Sequence, residues 1–325
     1  MYRMKICLIG PGYKPIPPTG WGAVESVIWD YYINLKNMGV EVDIINNKNL
    51  REVIVEVNNK NYDIVHIMYD DHIIITPYIK STSKILYTSH YAYITSPTFE
   101  MHHNHYYNNI FKHVIHNKNR VVIFAISEQI RQKYISHGYD ENKVFVMHNG
   151  ARDDAFEFIE SPANVDKSVY LAKVETRKRQ YVYQSIPNID FVGNYHNSTF
   201  DRNNKNYLGE WNKNVLYENL SSYGNLVLLS DGEADPLVVK EALICGLGVV
   251  VSECSAANID TTLDFIDIIP NNKLNDIAYV EAIINKNREI SKLSRNKIRK
   301  YGLETFGWKG LVEKYKALID KLFGN

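Results

Sequence analysis

The chain has 325 residues, 45% of them hydrophobic, with 37 Lys+Arg against 37 Asp+Glu and a formal net charge of zero. That length accommodates two domains with substantial cores, and the balanced charge argues against a generic electrostatic grip on nucleic acid, which needs a clear basic excess. Three sparse cysteines in largely apolar surroundings, Cys7, Cys245 and Cys254, exclude a disulfide framework and point to a reducing, cytoplasmic setting.

No apolar run approaches the ~20 residues of a membrane-spanning helix. Met1 to Gly10 carries basic residues and a short apolar run, but Gly-Pro-Gly follows where a signal peptide would have a small-residue cleavage site, so it reads as a buried first strand. From there strands and helices alternate. Lys5 to Gly10 is a strand, and Val24 to Asn37 has helical spacing with Val27, Ile28, Tyr31 and Leu35 on one side. Gly39 stops it. Strands follow at Val40 to Ile45, Asp63 to Met68, Lys84 to Thr88 and Arg120 to Ile126, then a helix from Ser127 to about His137 and a strand at Val144 to Met147. The acidic, irregular stretch Arg152 to Val165 reads as a linker. A second alternating set has strands at Val169 to Ala172, Ile189 to Gly193, Asn225 to Leu229 and Gly248 to Ser252, with helices at Asn214 to Leu220 and Pro236 to Cys245. From about Asp276 to Leu322 the pattern is helical, interrupted near Gly302 and Gly307. Alternation of this kind implies parallel sheets with crossover helices. The expected fold class is therefore α/β, two doubly wound domains at 1–158 and 159–305 facing across a cleft, with 306–325 returning to the first. Ligands bind at the carboxyl ends of such strands.

Three segments carry candidate chemistry. Gly10 to Glu25 joins the first strand to the first helix; Gly20 and Gly22 let backbone approach a ligand, and the helix start can face a phosphate. The dinucleotide spacing Gly-x-Gly-x-x-Gly is absent, and a plain Pro/Gly-rich turn is as good a reading of this loop taken alone. Lys173 and Lys178 follow a strand directly, where cations can clamp a departing diphosphate; by themselves they read first as a solvated basic loop. The most informative stretch is Glu233-Ala234-Asp235-Pro236-Leu237-Val238-Val239-Lys240-Glu241. Asp235 suits an N-cap and Pro236 a first helical residue, so the helix tip offers N–H groups to an anion with a carboxylate on either side for hydroxyls. Diphosphate plus hydroxyls describes a nucleotide sugar.

These residues, in order, resemble the retaining glycosyltransferases of the GT-B fold, family 4, over nearly the whole chain. Gly20-Trp21-Gly22-Ala23-Val24-Glu25 is similar to the family's Gly-Gly-x-x-Glu loop, Tyr87-Thr88-Ser89-His90 to its Thr-x-His, and Ala125-Ile126-Ser127-Glu128 to its Val-Ser-x-x helix start. Met147-His148-Asn149-Gly150-Ala151 with Phe156 resembles its Asn-Gly-Val-Asp segment, Lys173 and Lys178 its Arg and Lys, Glu233 to Glu241 its Glu-x7-Glu, and Phe306-Gly307-Trp308 its Phe-Ser-Trp. The resemblance implies that Glu241 binds the donor ribose, that Glu233 binds hydroxyls of the transferred sugar, and that the N–H groups of Leu237 and Val238 face the diphosphate or sugar. Lys173 and Lys178, backed by Arg177, would neutralise the leaving phosphate. Gly22 would bring its N–H near diphosphate or acceptor, and His90 would hydrogen-bond the donor sugar. It implies transfer of a hexose-like sugar, with retention and without cofactor or metal, to a glycan, lipid-linked or small-molecule hydroxyl acceptor. Three departures stand out. Lys173 replaces an arginine and its bidentate phosphate geometry. Asp235 adds negative charge near the phosphate, and Pro236 has no N–H to donate.

Met101 to Arg120 carries His102, His103, His105, His113 and His116, but lacks carboxylate or Cys partners at structural metal-site spacing. It reads first as a solvated helix, with peripheral contact to a membrane or lipid-linked acceptor as the second reading. The rival functions are a nucleotide-sugar or glycan-binding protein without turnover, and another GT-B enzyme such as a sugar epimerase or phosphorylase.

Overall fold

The computed structural model describes residues 4–91, 94–95, 105–196 and 199–324; His102 and His103 lie outside the described residues. The chain divides into two units, one comprising Met1–Asn149 with Trp308–Asn325 and the other Gly150–Gly307.

The first unit contains β1 (Lys5–Gly10), α1 (Ala23–Asn37), β2 (Glu41–Asn46), α2 (Leu50–Lys60), β3 (Ile64–Ile67), β4 (Lys84–Tyr87), α3 (His105–His116), β5 (Val121–Ala125), α4 (Glu128–Ser136) and β6 (Val144–Val146). Its strands are all parallel in the order β2-β1-β3-β4-β5-β6. Burial on both faces explains the near-continuous apolar runs of β1 and β5. The second unit contains β7 (Asn164–Leu171), α5 (Gln180–Tyr183), β8 (Ile189–Val192), α6 (Lys213–Asn219), β9 (Tyr223–Leu228), α7 (Leu237–Ile244), β10 (Gly248–Ser252), β11 (Ile266–Ile269) and α8 (Ile277–Phe306). Its five parallel strands run β11-β10-β9-β7-β8. The strand order reverses between β1 and β3 in one unit and between β7 and β9 in the other, and such switch points open crevices at the strand ends.

The helical C-terminal stretch differs from the sequence expectation. α8 runs through Gly302 without a break, because that glycine is a packing contact: a Cβ there would lie 2.6 Å from the backbone of Leu243 on α7. The break comes at Gly307, after which α9 (Trp308–Phe323) packs on α1 in the first unit. The stretch taken for a linker is tied to the second unit. Phe156 is buried against Tyr217, and the Ile159 N–H donates to Ser221 Oγ at 3.0 Å while its carbonyl accepts from Arg295.

Beneath α9, His66 is sealed between Thr88 Oγ1 (2.8 Å) and the Tyr315 hydroxyl (3.2 Å), its ring stacked on Tyr315. Burial pulls its pKa down to about 3. A free histidine takes up its proton near 6.5, so as pH falls below that value the unfolded chain gains protons that the folded one does not. Stability must drop on that limb, by about 2 kcal/mol from this group at pH 5. Melting temperatures measured from pH 7.5 to 5 should fall in the wild type and fall less in His66→Gln, which keeps an amide directed at Thr88; parallel curves would contradict this.

Candidate functional site

The switch point of the second unit gathers most of the donor-side residues named from the sequence. β7 leads into residues 172–175, which run beside residues 193–196 through a bridge between Val174 and Tyr195. Only glycine fits at 193: a Cβ would lie 1.9 Å from the Ala172 carbonyl oxygen. A short 3-10 turn, Thr176–Lys178, follows and is closed by Arg179 in the left-handed conformation. Two ties fix this turn to the end of β9. The buried Tyr170 hydroxyl donates to the Lys178 carbonyl at 2.5 Å and accepts from the Leu229 N–H at 2.8 Å, and the Asp231 N–H donates to the Arg177 carbonyl at 2.8 Å.

The result is an ion pair across the switch point. Lys178 Nζ donates to Glu233 Oε1, with side-chain exposures of 13% and 11%, and Arg177 stands 3.7 Å from the same oxygen. Arg177 also reaches the Gly232 carbonyl and pairs with Glu175 at 2.8 Å. Lys173 lies at the rim, half-exposed and 3.3 Å from Glu175. Glu175, between two cations, is held below the usual carboxylate range despite partial burial.

α7 opens at the same place. Its first residue is Leu237 and no side chain caps it, so the N–H groups of Leu237 and Val238 begin a helix with an open tip. This departs from the expected cap: Pro236 takes the N-cap position with extended ψ, and Asp235 does not cap at all. The Asp235 carboxylate is fully enclosed, paired with Lys240 and accepting from Asn258 at 2.8 Å. The sequence reading of Asp235 as a donor-binding residue that adds negative charge near the phosphate is corrected accordingly: its side chain is enclosed and its charge is matched by Lys240 inside the unit.

Glu241 lies two-thirds of the way along α7, almost fully buried. Burial raises its pKa, opposed by Lys213 at 3.9 Å. Among the described residues its carboxylate oxygens accept no hydrogen bond, so their acceptor capacity is open to hydroxyl donors. Lys213, the first residue of α6 behind the Asn212 cap, is the cation beside Glu241 and was not singled out in the sequence reading. Its only sequence signal is a cation just after an N-cap.

In the first unit, Gly22 is the N-cap of α1, with no side-chain cap hydrogen bond. A Cβ there would meet Glu25 Oε2 at 2.9 Å, so the glycine leaves room for that buried carboxylate to fold under the helix start. The loop before it is stitched by Lys14 Nζ to the Trp21 carbonyl and by Asn46 to Lys14 and Gly12. His90 follows β4 on a turn anchored at Asp70, which accepts from the Tyr87 hydroxyl and Ser89 Oγ at 2.7 Å each. Its Nε2 is buried with no hydrogen-bond partner, and burial lowers its pKa to about 4, keeping the ring neutral near pH 7. Among the described residues there is no group of three or more His, Cys, Asp or Glu placed to hold a metal ion, and no helix long and apolar enough to cross a membrane.

No protein-family model matches the chain, and no curated protein is similar to it in sequence. Solved structures are similar throughout its length. HepE of Anabaena, solved in complex with UDP-glucose, matches with TM-score 0.73 and 13% identity over 98% of this chain and 100% of that one. Sucrose-phosphate synthase of Thermosynechococcus elongatus matches with TM-score 0.77 and 14% identity over 99% of each chain. The lipopolysaccharide outer core galactosyltransferase WaaB matches with TM-score 0.68 and 14% identity, over 98% of this chain and 100% of that one. These likenesses establish the GT-B fold.

Proposed function

We propose that this protein is a glycosyltransferase that moves a hexose-like sugar from a nucleoside-diphosphate sugar to a hydroxyl acceptor, with retention and without a metal. The observation that carries the reading is the meeting of Lys178, Glu233 and the open tip of α7 at one switch point, with the unbonded carboxylate of Glu241 on the same helix. Breaking an anomeric bond leaves an oxocarbenium-like sugar and an anionic diphosphate. Lysine, arginine and a helix N-terminus stabilise that anion, which is the work a divalent cation would otherwise do. Glu233 accepts hydroxyls of the sugar and Glu241 those of the ribose, so neither is assigned as a nucleophile. HepE was solved with UDP-glucose, which makes UDP and UDP-glucose the first compounds to try.

A thermal-shift panel of nucleoside diphosphates and their sugars, run with EDTA, tests this. A ligand that binds only the folded state raises stability by about 2.7 kcal/mol at a hundredfold excess over its Kd. At least one nucleotide sugar should raise the melting temperature and, with an acceptor, release nucleoside diphosphate. A panel without any shift would overturn the reading; binding without release would favour a sensor of nucleotide sugars.

A further inference from the structure

A charged pair sits where α7 should be most apolar. Lys240 occupies the inner face of the helix beside Val239, Ala242, Leu243 and Ile244, with no exposed side-chain area, and neither has its partner Asp235. Three further groups converge on the pair. Asn258, in the turn after β10, donates to the same Asp235 oxygen at 2.8 Å. The Pro236 carbonyl lies 3.5 Å from Lys240 Nζ, and the Phe306 ring at the end of α8 lies under the ammonium at 5.4 Å. Asp235 is two residues after Glu233 and two before Leu237. Its side chain therefore pins the middle of the segment that carries both the sugar-facing carboxylate and the open N–H groups. Proline at 236 stiffens the step from the pin to the helix.

We infer that Asp235, Lys240 and Asn258 form an internal anchor that holds residues 233–238 in place for the sugar and diphosphate of the donor, with Asp235 and Lys240 acting as positioning residues that touch no ligand. The inference rests on the proposed donor role of this segment. A buried pair gains little over apolar packing but is damaging to break on one side only, so a lone charge is a poor test and the double exchange is the informative one.

Asp235→Asn/Lys240→Met removes both charges at nearly constant volume. Its amide hydrogen exchange, measured without ligand, should rise about tenfold over residues 231–240 while the peptides of β9 and β10 keep wild-type rates. In the same variant, affinity for UDP-glucose should fall by about tenfold and affinity for UDP by a smaller factor, because UDP loses only the placement of the helix-tip N–H groups while UDP-glucose also loses that of Glu233, and ribose recognition through Glu241 is untouched. Wild-type exchange over residues 231–240, or equal loosening of β9 and β10, would overturn the anchor. So would an equal loss of affinity for both ligands, which is the mark of a merely structural role. The exchange arm needs no ligand. A wild-type protein that binds neither UDP nor UDP-glucose defeats the donor reading, while the anchoring of the segment still stands or falls on exchange alone.

Discussion

Lys178→Ala is expected to slow sugar-nucleotide turnover by about 10²–10³-fold, the scale seen when one preorganised donor to a developing anion is removed. Two effects add. The leaving diphosphate loses a cation held in place by the backbone tie from Tyr170. Glu233 loses its hydrogen-bonded partner and keeps Arg177, at 3.7 Å. The fold should tolerate the change, because Glu233 retains some solvent exposure and has Arg177 at 3.7 Å as a second cation, so its charge is not left without a counterion. Lys178→Arg should recover part of the loss, since the charge returns while the guanidinium presents a wider fork. Steady-state kinetics of nucleoside diphosphate release, read beside melting temperature, checks this. Unchanged turnover with an unchanged melt would remove Lys178 from the site.

Glu241→Gln is expected to move stability and affinity in opposite directions. Ionising the wild-type carboxylate in its buried position is unfavourable, which is why its pKa is raised. With the folded value above the unfolded one, the folded protein holds the extra proton, so stability is greatest at low pH and declines as pH rises through that interval. The amide is neutral throughout, so the variant should be the more stable protein at pH 7. Affinity for nucleoside diphosphates should fall by tens-fold, since hydrogen bonds to a charged acceptor contribute about 1.5–3 kcal/mol each. Wild-type affinity should also weaken as pH is lowered through the interval above the ordinary carboxylate value, and the variant's should not. Calorimetric titration at several pH values, beside thermal melts, reads both trends. A variant that binds UDP as tightly as the wild type would separate Glu241 from the ribose.

The parts of the fold legible in the sequence were those set by local pattern. β1 and β10 are uninterrupted apolar runs bounded by glycine or serine, and their limits were read correctly. β11 was missed: Ile266–Ile269 is four residues with an aspartate inside and a proline after it, and it becomes a strand only by pairing with β10. α2 was missed because it buries only Val53 and Val57, a weak stripe in a polar sequence. Gly302 was read as a break because helix propensity is local, whereas its reason is the approach of another helix. The site shows the same division. Lys178 and Glu233 could each be placed after a strand, but their pairing needs the register of β7 against β9, which no window of sequence contains. Nothing local marks Lys240 within the Glu233–Glu241 run, and its meaning depends on which way Asp235 points.

The Gly150–Gly307 unit is one uninterrupted stretch of chain, and its two ends meet: Ala151 bridges Gly307, and the Ala151 N–H donates to the Phe306 carbonyl at 2.9 Å. Adjacent ends of this kind make a segment transplantable. It can be cut out, joined head to tail or exchanged for the equivalent stretch of a distant homologue without asking the host to span a gap. On the donor role proposed above, exchanging this cassette alone should change which activated sugar is used.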